Sequence, residues 1–357
     1  MSVTTKTDEW LASIYRFTQG REVALIGVLL LAVPLVTGNI SLSTYVLIFG
    51  LFAMGYNLAL GETGMLTFGH AAFFGLGAYG SGLFLAHVQP PAWLGFICLI
   101  TGTLLAAAGG LVIGLLSLRR RGTYLALITL AFAEMIYFVV FQWKSLTGGD
   151  DGLFGVMTPK LGIPGVFMIS FSGGVLPGNV TYYLFSFVIF MLALVALRRI
   201  KRSNFGRVLN AVRENENRAQ FLGYDVNRYR LAAFTLSAAF SGLAGALYAP
   251  FLNYVGLDTL NWVLSGEVNF YVLLGGIGSF PGAVIGTFIY YWLSDTVSTL
   301  WSHWQLLMGL ILIAIVLFFP EGILGAVQEY VGREAVLERA GGVGTEPGSD
   351  SAEKGVE

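Results

Sequence analysis

An all-α, polytopic transmembrane bundle is the fold class this chain predicts, on three observations. Charged residues make up only 11% of its 357 residues. The mean hydropathy is +0.73. Apolar runs long enough to cross a bilayer recur along most of the chain. A water-facing domain carries roughly 25% charged residues, so this chain lacks the polar surface that a soluble fold needs. Its 47 glycines fit the same class, because small residues let membrane helices approach closely and break.

A hydrocarbon core about 30 Å thick takes roughly 20 apolar residues per helix. On that ruler spans are predicted near 22–38, 40–60, 65–88, 92–118, 123–143, 181–197, 231–254, 267–280, 282–300 and 304–320, about ten in all. The first follows a polar leader without a small-residue cleavage site and reads as an uncleaved targeting span. Gly275, Gly276, Gly278, Pro281, Gly282 and Gly286 interrupt 267–300, which leaves two short crossings or a crossing plus a re-entrant piece. The organisation expected is a cytoplasmic segment 1–21, a first bundle 22–197 with an external loop 144–180, a cytoplasmic segment 198–230, a second bundle 231–325, and a tail 326–357. The Gly-, Ser- and Glu-rich end of that tail has a disordered composition.

The net charge of −1 conceals where the charges sit. Nine of the 20 Lys and Arg fall between Arg198 and Arg230, and three more form Arg119–Arg121. The positive-inside rule, started from Lys6, Arg16 and Arg21, puts both basic clusters on the cytoplasmic side and the sparse loop 144–180, with Lys144 and Lys160, outside. Both termini then lie in the cytoplasm.

The stretch Ser203–Val226 carries an amphipathic pattern. Phe205, Val208, Leu209, Val212, Ala219 and Leu222 recur at helical spacing, opposite Arg207, Arg213, Glu214, Glu216 and Arg218. Glu214 and Arg218 stand four apart, as a helical ion pair requires, and Gly223 is placed to end the helix. Two readings are open: a linker lying on the anionic leaflet, or an element presented to a soluble partner.

Glu134 falls mid-span, where an unpaired ionisable group costs roughly 2.5–3.5 kcal/mol or more, so it is expected to face the bundle interior. A pathway role and a hydrogen-bonded structural role are both open for it. His70, beside Gly69 at the start of the third span, reads as a packing residue rather than a ligand. The external stretch Leu146–Val156, with Thr147, Gly148, Gly149 and the pair Asp150–Asp151, suits tight turns that line a vestibule or form a plain surface loop. Gly61-Glu62-Thr63-Gly64 and Gly275-Gly276-Ile277-Gly278 echo each other, each at the predicted cytoplasmic end of a span, as repeats would.

Several chemistries have no footing. Cys98 is the single cysteine and the three histidines are scattered, so neither a disulfide nor a metal cluster is expected. No phosphate-binding loop, H-E-x-x-H pair or G-x-S-x-G elbow is present, and no cofactor is expected.

Taken together, Gly61–Tyr79, Arg121–Leu130, Leu146–Gly152, Asn204–Glu216, Ser241–Tyr248, Leu274–Gly282 and Pro320–Gly325 resemble, in order, the membrane permeases of branched-chain amino-acid ABC importers. The pieces 121–130 and 146–152 resemble the M-type subunit rather than its H-type sister.

The resemblance implies a transport subunit rather than an enzyme. It would work with a sister permease, two cytoplasmic ATPases and a periplasmic binding protein, within membrane lipid and without nucleic acid. Phe205, Gly206, Arg207, Leu209, Ala211, Arg213, Glu214, Asn215, Glu216 and Gly223 would then belong to a coupling element, with Phe205 and Leu209 entering a groove of the ATPase. The translocation path would draw on Gly61, Glu62, Gly64, Gly69, His70, Glu134, Thr147, Gly148, Gly149, Gly275, Gly276, Gly278 and Gly282. Branched-chain amino acids, urea, short amides and aromatic acids are the substrates such permeases serve. An ion-coupled carrier using Glu134 is the competing class, and a lipid-active membrane enzyme a third.

Overall fold

A computed structural model describes residues 22–88, 95–156, 161–163, 167–169, 178–300, 303–318 and 322. Lys6, Arg16, Arg21, Lys160 and the tail after Gly325 lie outside the described residues. The helices are α1 (Glu22–Thr37), α2 (Ile40–Thr63), α3 (His70–Val88), α4 (Ile97–Ser117), α5 (Thr123–Gln142), the single turn α6 (Lys144–Thr147), α7 (Gly178–Arg202), α8 (Asn204–Glu214), α9 (Glu216–Phe221), α10 (Val226–Leu252), α11 (Trp262–Gly275), α12 (Phe280–Leu300) and α13 (Trp304–Phe318). Six of them, α2, α3, α4, α5, α7 and α10, are long and apolar enough to cross a membrane. The pair α11–α12 meets the same criterion only when taken together. This is a polytopic helical membrane protein.

The centre of the bundle is α2. Asn39 starts it by accepting hydrogen bonds from the amides of Ser41 and Leu42, and Gly64 ends it in the left-handed conformation. Nearly its whole apolar length is buried, including Phe52, Met54 and Tyr56. Around it, α10 crosses α3 and α4 backbone to backbone. A Cβ on Gly77 would sit 2.0 Å from the Gly242 carbonyl oxygen, and one on Gly245 would sit 1.9 Å from that of Phe74. In lipid, where apolar surface alone gives helices little reason to associate, such approaches supply the dispersion contacts that hold them. The segments before and after the basic stretch therefore share one core. By contrast α4, α5 and α7 turn large apolar residues such as Leu104, Leu127, Phe138 and Leu192 outward.

Several expected boundaries move. The third span begins at His70 rather than 65, because residues 64–69 form a non-helical link whose Gly69 lies against the Thr129 backbone, where a Cβ would be 2.6 Å from the carbonyl oxygen. Helices α7 and α10 run into the basic stretch beyond 197 and before 231. The interrupted region resolves into α11 and α12 bent by 114°. With 14 residues, α11 is about 21 Å long, short of a bilayer core. The link between α6 and α7 adds one element that helical periodicity does not announce, an antiparallel pairing of β1 (Leu161–Ile163) with β2 (Phe167–Ile169).

Candidate functional site: a joint at the basic end of the bundle

The amphipathic stretch folds as two helices, which corrects the expectation of one. Asn215 leaves helical space (φ −159, ψ 102) and its side chain accepts from the Arg218 amide, capping α9. Glu214 and Arg218 therefore do not share a helix and form no ion pair. Gly223, at φ 88, follows the last turn of α9, as its position suggested. Gly206 lets α8 fold tightly back on α7, since a Cβ there would be 2.1 Å from the Lys201 carbonyl oxygen.

The apolar face of α8 packs upward into the bundle. Leu209 is fully buried in a cluster with Met65, Phe73 and Phe234, while Val208 and Val212 pack with Ala219 and Val226. Phe205 is half-buried and stacks on Tyr229 with ring centroids 5.6 Å apart. Neither Leu209 nor Phe205 is free to enter a partner's groove, which corrects that expectation. The face left outward carries Arg207, Arg213 and Glu214, followed by Phe221 (92% exposed) and Leu222 (70% exposed). Leu222 was expected on the apolar face, and the break at Asn215 is what turns it out.

Arg213 reaches from α8 to the bundle and donates to the Gly61 carbonyl. Gly61 in turn lies against Gly278, where a Cβ on Gly61 would come 2.7 Å from the Gly278 Cα. The two echoing glycine stretches thus touch each other. Asn57, one turn earlier on α2, accepts from the Gly278 amide (3.0 Å) and donates to the Ser279 carbonyl (3.0 Å). Lys201, at the end of α7, makes an ion pair with Glu62 (2.6 Å), donates to the Gly278 carbonyl and stands 5.3 Å from the Phe280 ring centroid. Glu62 is 1% exposed, so this pair is largely dehydrated. Gly275 and Gly282 complete the close crossing of α11 with α12, a Cβ on Gly275 falling 1.8 Å from the Gly282 carbonyl oxygen. Gly276, at φ 112, caps α11, and Gly64 lies 3.6 Å from Arg213 Cγ when given a Cβ.

A second clamp holds the other end of the segment. Glu216 pairs with Arg121 at 2.7 Å and with Arg230 of α10 at 3.3 Å. Arg230 is only 3% exposed. The basic clusters 119–121 and 198–230 are therefore joined through one carboxylate.

The remaining predicted residues lie elsewhere. His70 is buried in the interior, with Nδ1 2.6 Å from Thr67 Oγ1 and Nε2 2.8 Å from Ser237 Oγ. Since Ser237 donates its own proton to the Gly55 carbonyl, His70 donates from Nε2 and accepts at Nδ1, which is a neutral packing histidine. Glu134 is half-buried on α5 and has no ion-pair or hydrogen-bond partner among the described residues. It is not enclosed by the bundle as expected, because α5 packs through only part of its surface. Thr147, Gly148 and Gly149 lie far from the joint, at the opposite end. There Thr147 donates to the Val140 and Trp143 carbonyls, and the loop that follows pairs Leu153 with Val255.

Lys201, Asn57, Arg121 and Arg230 were not singled out in the sequence as site residues. Their partners are 77 to 222 positions away for Lys201 and Asn57, so no local pattern reveals them.

Comparison with known proteins agrees with this architecture. The profile of the family described as "Branched-chain amino acid transport system / permease component" matches residues 39–317. The chain is 28% identical to the high-affinity branched-chain amino acid transport system permease protein LivM of Escherichia coli K12, over 88% of this chain and 77% of that protein. It is 28% identical to LivM of Salmonella typhimurium, over 80% of this chain and 70% of that protein. Identity to LivH of Salmonella typhimurium is also 28%, over 79% of this chain and 92% of that protein. No solved structure matches the chain. With most of its length matched, the chain belongs to the family of permease components of branched-chain amino acid transport systems.

Proposed function

We propose that this chain is the M-type permease subunit of an ABC importer that carries branched-chain amino acids, or a related small polar solute, across the bacterial inner membrane. It works beside a sister permease, on two cytoplasmic ATPases, and receives its solute from a periplasmic binding protein. The outward-turned apolar flanks of α4, α5 and α7 suit lipid and the sister subunit. About ten crossings with both termini inside remain the preferred topology, with α11–α12 counted as two, and the basic end of the bundle is cytoplasmic. The contact of the two glycine stretches favours an internal repeat.

The observation that carries the mechanism is the joint. The segment α8–α9 is a separate amphipathic body, held to Gly61 of α2 by Arg213 and to Arg121 and Arg230 by Glu216, while Lys201 fastens the end of α7 to the same joint. Its outward residues, Arg207, Glu214, Arg218, Phe221 and Leu222, form the surface offered to the ATPase. When the ATPases close on ATP, a push on α8 reaches Gly61 through Arg213 and passes to Gly278 and α11. Two helices that meet at glycine stretches have little side-chain bulk to resist a change of angle there, which suits a switch between two packings.

The test is reconstitution of the four components in proteoliposomes. ATP- and binding-protein-dependent leucine uptake is expected. Phe221→Ser with Leu222→Ser should abolish co-purification with the ATPase, and Arg213→Ala with Glu214→Ala should impair uptake while membrane insertion persists. Uptake that proceeds without ATPase and collapses with the ion gradient would instead establish the carrier reading. Glu134, half-buried and without an ion-pair or hydrogen-bond partner among the described residues, favours that reading.

A further inference from the structure

Away from the joint, the bundle forms an open cavity of about 410 Å³ whose walls come from α2, α3, α10, α11, α12 and the link between α10 and α11. Its aromatic lining is continuous. Phe49 lies 5.2 Å from Tyr291, 5.7 Å from Tyr248 and 5.4 Å from Phe74, while Tyr45 closes on Tyr291 at 5.9 Å. Asp258, exposed, marks the rim at the end of the bundle opposite the joint, because it follows the far end of α10. Glu267 of α11 stands deeper in the wall, where Oε2 accepts a hydrogen bond from Tyr271 at 3.1 Å. Among the described residues, no Lys, Arg or His pairs with either carboxylate.

Two carboxyl groups without a counter-cation among the described residues, set among aromatic faces, define what the cavity accepts. Tyr and Phe rings present negative faces that attract an ammonium within about 6 Å, and they also take up apolar surface. A solute of net negative charge is repelled from such a space, and a purely apolar solute leaves the carboxylates dehydrated without gain. The complementary solute is small, carries an ammonium and has an apolar body. We propose that this cavity is the transit site of the transported amino acid, with its ammonium at Glu267 and its apolar side chain against Phe49, Tyr248 and Tyr291. This assignment rests on the importer reading and names its substrate contact.

The same short helix explains how the site is worked. Glu267 lies one to two turns into α11, and α11 ends in the Gly275–Gly278 turn held by Lys201, Asn57 and Gly61. From Glu267 to Gly275 is about 12 Å along the axis. A change of angle at the joint therefore moves the carboxylate that holds the ammonium.

The experiment uses the complete importer in proteoliposomes with leucine as the probe, and measures uptake and ATP hydrolysis in parallel. A hydrogen bond to a charged group contributes about 1.5–3 kcal/mol, so Glu267→Gln should lower uptake at subsaturating leucine roughly tenfold or more. Binding-protein-stimulated ATP hydrolysis persists, so more ATP is spent per leucine. Glu267→Asp should recover part of the loss, and Tyr291→Leu should reproduce it. Unchanged uptake in Glu267→Gln and Tyr291→Leu overturns the site.

Where Glu267→Gln fails to assemble, Val263→Cys at the exposed rim gives a second reading. A cationic thiol reagent should modify it faster than an anionic one, and Asp258→Asn should shrink that preference. Background is low because Cys98 is buried. Equal rates for the two reagents overturn the assignment. Absence of ATP-driven uptake of leucine, urea, short amides and aromatic acids alike in the wild-type assembly would refute the importer reading instead, and the labelling result would still stand on its own.

Discussion

Lys201→Ala removes the cation that faces Glu62, and its cost follows from the geometry. The two charges are 2.6 Å apart, with the Glu62 side chain 2% and the Lys201 side chain 34% exposed. Breaking a fully buried pair costs about 3–5 kcal/mol, because the remaining charge stays dehydrated and alone. Water reaches Lys201, which screens the pair and lowers that contribution to about 2 kcal/mol. Losing the donor to the Gly278 carbonyl adds about 1 kcal/mol. Lys201→Ala should thus cost about 3 kcal/mol in total, by these same rules.

Glu62→Gln leaves a neutral amide that can still accept from Lys201, so it should cost less. The double variant Lys201→Met with Glu62→Gln should be more stable than Lys201→Met alone, since no lone carboxylate remains. Thermal unfolding of Lys201→Met, Glu62→Gln and the double variant in nanodiscs gives the double-mutant cycle directly. A Lys201→Ala protein as stable as wild type, or additive effects in the cycle, would refute the claim that a dehydrated ion pair fastens α7 to the joint.

Two further outcomes follow from packing and charge. Gly77→Ala should prevent correct assembly, because its Cβ would meet the Gly242 carbonyl oxygen at 2.0 Å, whereas Gly266→Ala meets nothing within 4 Å and should be neutral or slightly stabilising; monodisperse yield in size-exclusion chromatography separates them. Glu216→Ala leaves Arg230 buried without its counter-ion and frees Arg121, so it should cost about 2–4 kcal/mol and loosen α8–α9. Faster amide hydrogen exchange across residues 204–221, with α2 unchanged, is the signature expected.

Much of this protein is legible in one dimension. Span positions follow from the length of apolar runs, because a helix must satisfy its own backbone in lipid and its length is set by the bilayer. The amphipathic pattern and the helix end at Gly223 are likewise local features, whereas Gly61–Thr63 continue α2 as helix rather than forming a turn. What the chain meets across space was not readable. The packing of α8 against the bundle buries the expected ATPase-facing Leu209, and the break at Asn215 leaves Phe221 and Leu222 outside.

The sequence by itself thus determined that this is a membrane bundle with an amphipathic segment beside its basic spans, since periodicity and composition act within single helices. Only the tertiary structure decided that the glycine stretches of α2 and α11 meet, that Lys201 and Arg213 are the residues that reach them, and that Glu267 faces an aromatic cavity. These depend on helix crossings between residues many turns apart, where close backbone approach and dehydrated charge pairs, rather than local propensity, select the partner.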